Sequence, residues 1–173
     1  DVPGKCIRLW GIQCFAGDRK DPMTAVAREI GSLVPHSSTM LLIQAPFEEL
    51  EAGARASVRV AEDSLFFCPG KGVPGWVGIE YMAQTVALHA GIVAARHGRQ
   101  IKIGFLLGTR RYVATCAYFR LGSRLRIDVL EEWQDGQMAV YKCSIADQHG
   151  TDLASAELNV FQPADAMKFI EGE

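Results

Sequence analysis

Residues 75–96 read as one helix, and that helix is apolar on nearly every side. Val77, Ile79, Met82, Ala83, Val86, Ala87, Leu88, Ile92 and Val93 leave no broad polar stripe along it. A helix of this kind has no face to offer to water, so other structure is expected to enclose it. Gly98 is placed to terminate it. One carboxylate, Glu80, interrupts its first two turns. Burying a carboxylate is costly unless it is paired, neutralised or put to use, and burial raises its pKa. Just upstream, Pro74-Gly75 opens the helix. The first N–H groups of a helix have no intrahelical acceptor and are free for a carbonyl or an oxyanion. An enclosed acid beside free donors suits proton transfer next to an activated carbonyl.

The rest of the chain supplies the enclosure. Val26, Ala27, Ile30 and Leu33 give residues 24–33 the spacing of a short amphipathic helix, which Pro35 stops. Residues 40–43 form an apolar run that reads as a strand. Gly53 reads as a turn, and residues 55–60 alternate as a strand with one buried face should. Residues 66–75 are a loop rich in glycine and proline. After the helix, strands are predicted at 101–107, 112–119, 125–133, 138–146 and 153–161. The Asp135-Gly136 turn and the Asp147-Gln148-His149-Gly150 turn join the last three into an antiparallel meander. One long helix followed by such a sheet predicts an α+β fold with the sheet wrapped around the helix.

At 173 residues the chain is long enough for one domain with a sizeable core. Residues 1–22 lack clear periodicity and read as an N-terminal extension, with the domain proper at 23–173. A formal net charge of −2 gives no electrostatic reason to expect nucleic acid. No run approaches a membrane span, and no signal peptide is visible, so a cytoplasmic location is expected. Five scattered cysteines, Cys6, Cys14, Cys68, Cys116 and Cys143, show no metal-ligand spacing and read as free thiols, with Cys116 and Cys143 in apolar strands.

Several strings together resemble the hotdog-fold 3-hydroxyacyl-[acyl-carrier-protein] dehydratases. Leu33-Val34-Pro35-His36 followed by Met40-Leu41-Leu42-Ile43 resembles that family's N-terminal segment. Phe66-Phe67-Cys68-Pro69-Gly70-Lys71 with Pro74-Gly75 resembles its pre-helix loop. Glu80-Tyr81-Met82-Ala83-Gln84 resembles its helix start, and Gly104-Phe105 with Arg110-Arg111-Tyr112 resembles the strand that follows. The resemblance covers residues 30–161 and is nearest to the dehydratase-like subunits of aryl polyene biosynthesis. It implies a hotdog fold and dehydration of a 3-hydroxyacyl thioester on acyl carrier protein to the trans-2-enoyl form. It implies no metal or organic cofactor, and a dimer, either with itself or with a second hotdog chain.

The resemblance also assigns roles. Glu80 falls on the helix carboxylate that serves as general acid or base. A structural alternative pairs Glu80 with Arg110 or Arg111. Gln84, one turn on, orients that carboxylate or is an interface glutamine. The Gly75 N–H takes the place of the donor to the thioester carbonyl. The family's histidine precedes the helix by about 14 residues, and there this chain has Phe66-Phe67-Cys68. His36 is the best substitute in the chain, with packing at the chain turn as its structural alternative. His89 points to the other side of the helix, His97 lies at the helix end, and His149 lies in a turn. The alternative source is a histidine from a partner chain, with this chain contributing Glu80. Acyl thioester hydrolysis and a non-catalytic scaffolding subunit are the competing functions.

Overall fold

The computed structural model describes residues 30–36 and 40–171. The expected extension at 1–22, Cys6 and Cys14, and most of the helix expected at 24–33 lie outside them. The end of that helix is present as α1 (Ile30–Leu33). Six strands then form one antiparallel sheet: β1 (Gln44–Leu50), β2 (Gly53–Arg59), β4 (Phe105–Ala114), β6 (Arg124–Asp135), β7 (Met138–Ala146) and β8 (Asp152–Phe161). Their order is β1-β2-β6-β7-β8-β4, so β1 and β4 are the edges. The short strands β3 (Val73–Pro74) and β5 (Tyr118–Phe119) pair with each other before and after the central helix. That helix is a 3₁₀ turn (Gly75–Val77) running into α2 (Gly78–Arg96), as expected. A last helix, α3 (Ala166–Glu171), sets Phe169 against Phe105 and Phe161 at the far end of the sheet.

Period-two alternation builds the inner face of the sheet. Ala54, Ala56 and Val58 on β2, Leu125, Ile127 and Val129 on β6, and Tyr141, Cys143 and Ile145 on β7 are all buried. Met82, Val86 and Leu88 of α2 are buried in the same core. This is the hotdog arrangement, a sheet wrapped around one long helix.

Three local expectations are corrected. Residues 40–43 are not a strand: the Leu42 and Ile43 N–H groups are held by a side chain, described below, and β1 begins at Gln44. Gly53 opens β2 instead of turning the chain. The strands expected at 101–107 and 112–119 are one strand, β4, followed by β5. Two extra residues bulge out of β4 against β8, between Leu106 and Gly108 and between Arg110 and Val113. These bulges break the alternation that a single strand would have shown in the sequence. Cys143 is a core residue of β7, and burial pushes its thiol up to about 12. Cys116 lies between β4 and β5, outside any strand.

The central helix is also less enclosed than its composition predicts. Tyr81, Met82, Gln84, Thr85, Val86, Leu88, His89 and Gly91 are buried. Ile79, Glu80, Ala83, Ala87 and Ala90 share another face and are only half-buried. One chain covers the helix on the sheet side and leaves this stripe open.

Candidate active site

Gln84 organises the site. Its side chain is fully buried at 0% exposure, in the second turn of α2. The amide oxygen accepts the backbone N–H of Leu42 at 2.8 Å and a longer contact from the Ile43 N–H at 3.4 Å. The amide nitrogen donates to the Met40 carbonyl at 2.7 Å and to Glu80 Oε1 at 2.8 Å. Because the oxygen faces two N–H donors, the nitrogen necessarily faces the carboxylate. Helical spacing of four residues brings Gln84 under Glu80. One amide therefore orients the acid and ties down the segment that follows His36.

His36 is brought to the same place, with its Nε2 3.5 Å from Glu80 Oε1. That is ion-pair range but long for a hydrogen bond. Its other ring nitrogen, Nδ1, is buried and has no hydrogen-bond partner among the described residues. The structural alternative for Glu80 fails: Arg110 and Arg111 are exposed, and neither forms an ion pair with it. The expected burial of Glu80 is not met either, since its side chain is 38% exposed in the single chain.

Gly75 differs from its expected role. Its N–H donates to the Ala117 carbonyl at 2.8 Å, so it is not a free donor. Its carbonyl accepts the Tyr112 hydroxyl, and burial holds that phenol up at about 12, as a neutral donor. A Cβ at this position would lie 2.5 Å from the Cys116 carbonyl oxygen. Glycine is needed here for close backbone approach, and the helix start is locked onto the 116–117 segment.

The remaining candidates are elsewhere. His89 Nδ1 lies 3.1 Å from the Tyr141 hydroxyl, which donates to Glu131 at 2.9 Å, inside the core. His97 Nδ1 meets the Val93 carbonyl at the helix end, and exposed His149 lies in the turn after β7. At the place of the family's histidine, Phe66 sits at φ 66 with its ring edge-on to Trp76, centroids 5.4 Å apart. Nothing in the sequence spacing pairs these two rings, because Phe66 lies in the loop and Trp76 in the 3₁₀ turn before the α-helix. A cavity of about 370 Å³, lined in part by Leu41, Leu42, Leu65 and Tyr81, adjoins the Gln84-bound segment. A larger one of about 460 Å³ opens among Arg111, Asp128, Lys142 and Glu157, residues apart from the Glu80 cluster.

The chemistry available is an acid–base pair, Glu80 with His36, at the open end of an apolar helix. Among the described residues no cluster of three His, Cys, Asp or Glu is placed to hold a metal. No curated protein matches the sequence. The dehydratase heterocomplex ApeI:P from Xenorhabdus doucetiae is similar at 26% identity and TM-score 0.74, over 82% of this chain and 95% of the other. A hypothetical thioesterase from Streptococcus pneumoniae TIGR4, solved with coenzyme A, shares the fold at 17% identity and TM-score 0.55, over 68% of this chain and 84% of the other. The PaaI protein of the E. coli phenylacetic acid degradation operon does so at 14% identity and TM-score 0.54, over 81% and 89%. The family model described as ApeP-like, ApeP dehydratase, matches residues 28–171, and the chain belongs to that hotdog family.

Proposed function

We propose that this chain supplies the acid–base pair of a dehydratase assembled from two hotdog chains. Its substrate is a 3-hydroxyacyl thioester on acyl carrier protein, in fatty-acid-like or aryl polyene synthesis in the cytoplasm, and its product is the trans-2-enoyl thioester. The approach of His36 Nε2 to Glu80 Oε1 carries this reading. His36 takes the α-proton, the Cα–H electrons form the new double bond, and the Cβ–O bond breaks. The protonated Glu80 carboxyl gives its proton to the departing hydroxyl, which leaves as water. The exchanged assignment of the two groups uses the same geometry. Since they are neighbours, proton return from His36 to Glu80 resets the pair without a further group. Gln84 keeps the carboxylate aimed. The Gly75 N–H is occupied by Ala117, so the donor to the thioester carbonyl is another group.

Two observations support a second chain at this site. Glu80 and the apolar stripe Ile79, Ala83, Ala87 are only half-buried in one chain, and the similar ApeI:P structure is a heterocomplex. The test is a reconstituted reaction with the partner hotdog chain and a 3-hydroxyacyl carrier protein, read by mass spectrometry of the carrier arm. Glu80→Gln is expected to lower enoyl formation by ~10²–10⁴-fold, the usual share of a general acid or base. Unchanged turnover would leave the chain a scaffold. The exposure of Glu80 to solvent favours one rival, activation of a water for thioester hydrolysis; release of free acid in place of enoyl product would establish it.

A further inference from the structure

Three tyrosines are enclosed by the fold, and two of their hydroxyls are accounted for. The Tyr112 hydroxyl bonds the Gly75 carbonyl, and the Tyr141 hydroxyl donates to Glu131. Tyr81 is buried more deeply than either, at 2% exposure. Its ring packs beside Phe119, centroids 6.0 Å apart, and its hydroxyl has no hydrogen-bond partner among the described residues. Buried phenols usually find one, and leaving a buried polar group unpaired is costly. A hydroxyl sealed wholly inside the core would be an orphan, and among the described residues His36 Nδ1 is the one such side-chain atom. The Tyr81 hydroxyl therefore keeps an opening. The cavity of about 370 Å³ that Tyr81 lines supplies it.

That cavity has an apolar interior and a polar rim. Val58 and Tyr81 are buried and Leu41 and Leu42 half-buried, while Arg59, Asp63 and Leu65 are exposed. The polar groups between are committed: Gln44 Oε1 takes the Arg59 N–H at 3.2 Å, and Ser64 Oγ takes the Ala61 N–H at 2.9 Å. The Tyr81 hydroxyl is what remains free in the interior. Burial pushes this phenol up to about 12, so near neutral pH it is an uncharged donor and acceptor. It suits a hydroxyl or carbonyl oxygen and offers no counter-charge to an ion. Size narrows the ligand further. A dry cavity of about 150 Å³ holds benzene, so about 370 Å³ has room for one substituted ring. Apolar walls with a single placed polar group are the usual make-up of a small-molecule site. Neither Glu80 nor His36 lines this cavity, so it is apart from the acid–base pair. Leu42, whose N–H Gln84 holds, nevertheless forms part of its wall.

We propose that this cavity is a second small-molecule site, for an uncharged single-ring aromatic ligand whose one hydroxyl or carbonyl pairs with the Tyr81 hydroxyl. The probes are 4-methylphenol and toluene, which differ by one hydroxyl. Binding to the full chain is read from NMR shifts of the Leu41, Leu42, Val58 and Leu65 methyl groups. The readout is occupancy of the cavity and not turnover, so it fails or holds independently of the dehydration chemistry. Tyr81→Phe keeps the ring and removes the hydroxyl. It is expected to weaken 4-methylphenol binding by ~3–10-fold, the range of one neutral hydrogen bond, and to leave toluene binding within about twofold. Since that hydroxyl has no protein partner to lose, the variant should melt no lower than wild type, as circular dichroism checks. Leu65→Trp is the second variant; it fills the rim and should abolish the shifts caused by both probes. The proposal is overturned if 4-methylphenol shifts none of the four residues' methyl groups. It is equally overturned if Tyr81→Phe binds 4-methylphenol as tightly as wild type, or if Leu65→Trp still binds both probes.

Discussion

Gln84→Leu removes the amide that joins Glu80 to the segment carrying His36 while keeping most of the side-chain volume. Three of its contacts act on stability. Leu42 N–H and Met40 C=O lose bonds of 2.8 and 2.7 Å, and Ile43 N–H loses a weak one of 3.4 Å. A hydrogen bond contributes ~0.5–1.5 kcal/mol net, and a buried group left unpaired costs ~1–3 kcal/mol. Leu42 and Met40 retain some access to water, so the two strong bonds set the scale and the loss is about 2–5 kcal/mol. For a chain of this length each kcal/mol moves Tm by ~2–4 °C, so Tm should fall by roughly 5–20 °C. The fourth contact, the 2.8 Å bond to Glu80, acts on function. Its loss frees the carboxylate to rotate, so kcat should fall more than KM changes when assayed below the melting transition. A purely structural glutamine would lower Tm and leave the kcat of the folded fraction intact. A Tm within about 2 °C of wild type, with unchanged kcat, would refute the assignment of Gln84 as the clamp.

Two other perturbations probe the frame. Gly91→Ala would set a Cβ 2.0 Å from the Leu33 carbonyl oxygen, so α1 must move off α2; a destabilisation of ~1–3 kcal/mol by denaturant melt is expected, and no loss would mean that α1 is not held there. His89 is kept below its ordinary pKa, first by burial, against the opposing pull of Glu131. The folded state therefore binds fewer protons than the unfolded one, and stability is full above pH ~6.5 and falls as pH drops toward the depressed folded value. His89→Gln should flatten that part of a Tm-against-pH curve, and parallel curves for variant and wild type would exclude this origin.

Reading the chain one element at a time succeeds where local rules decide. The α2 span, the Asp135-Gly136 hairpin and the β6–β7–β8 meander follow from periodicity and turn chemistry acting within a few residues. β4 is not legible as one strand because its bulges insert residues that only pairing with β8 defines. Residues 40–43 looked like a strand because apolar runs do not reveal what satisfies their backbone; here a glutamine some forty residues away does so. Glu80 was legible as an anomaly, a lone charge in an apolar helix. Gln84 is legible beside it from helical spacing, whereas the meeting of His36 with Glu80 is not, because His36 arrives from a separate segment.

Composition and pattern alone determined that this chain wraps strands around one apolar helix carrying a single acid. That much is set by the burial of apolar surface, which depends on which residues recur and at what period. Tertiary structure alone decided that His36 meets Glu80, that Ala117 occupies the Gly75 N–H, and that one face of the helix stays half-buried and β4 stays an edge strand. Those outcomes depend on directional hydrogen bonds and on how far a single sheet reaches around its helix, and neither is written in the order of residues along the chain.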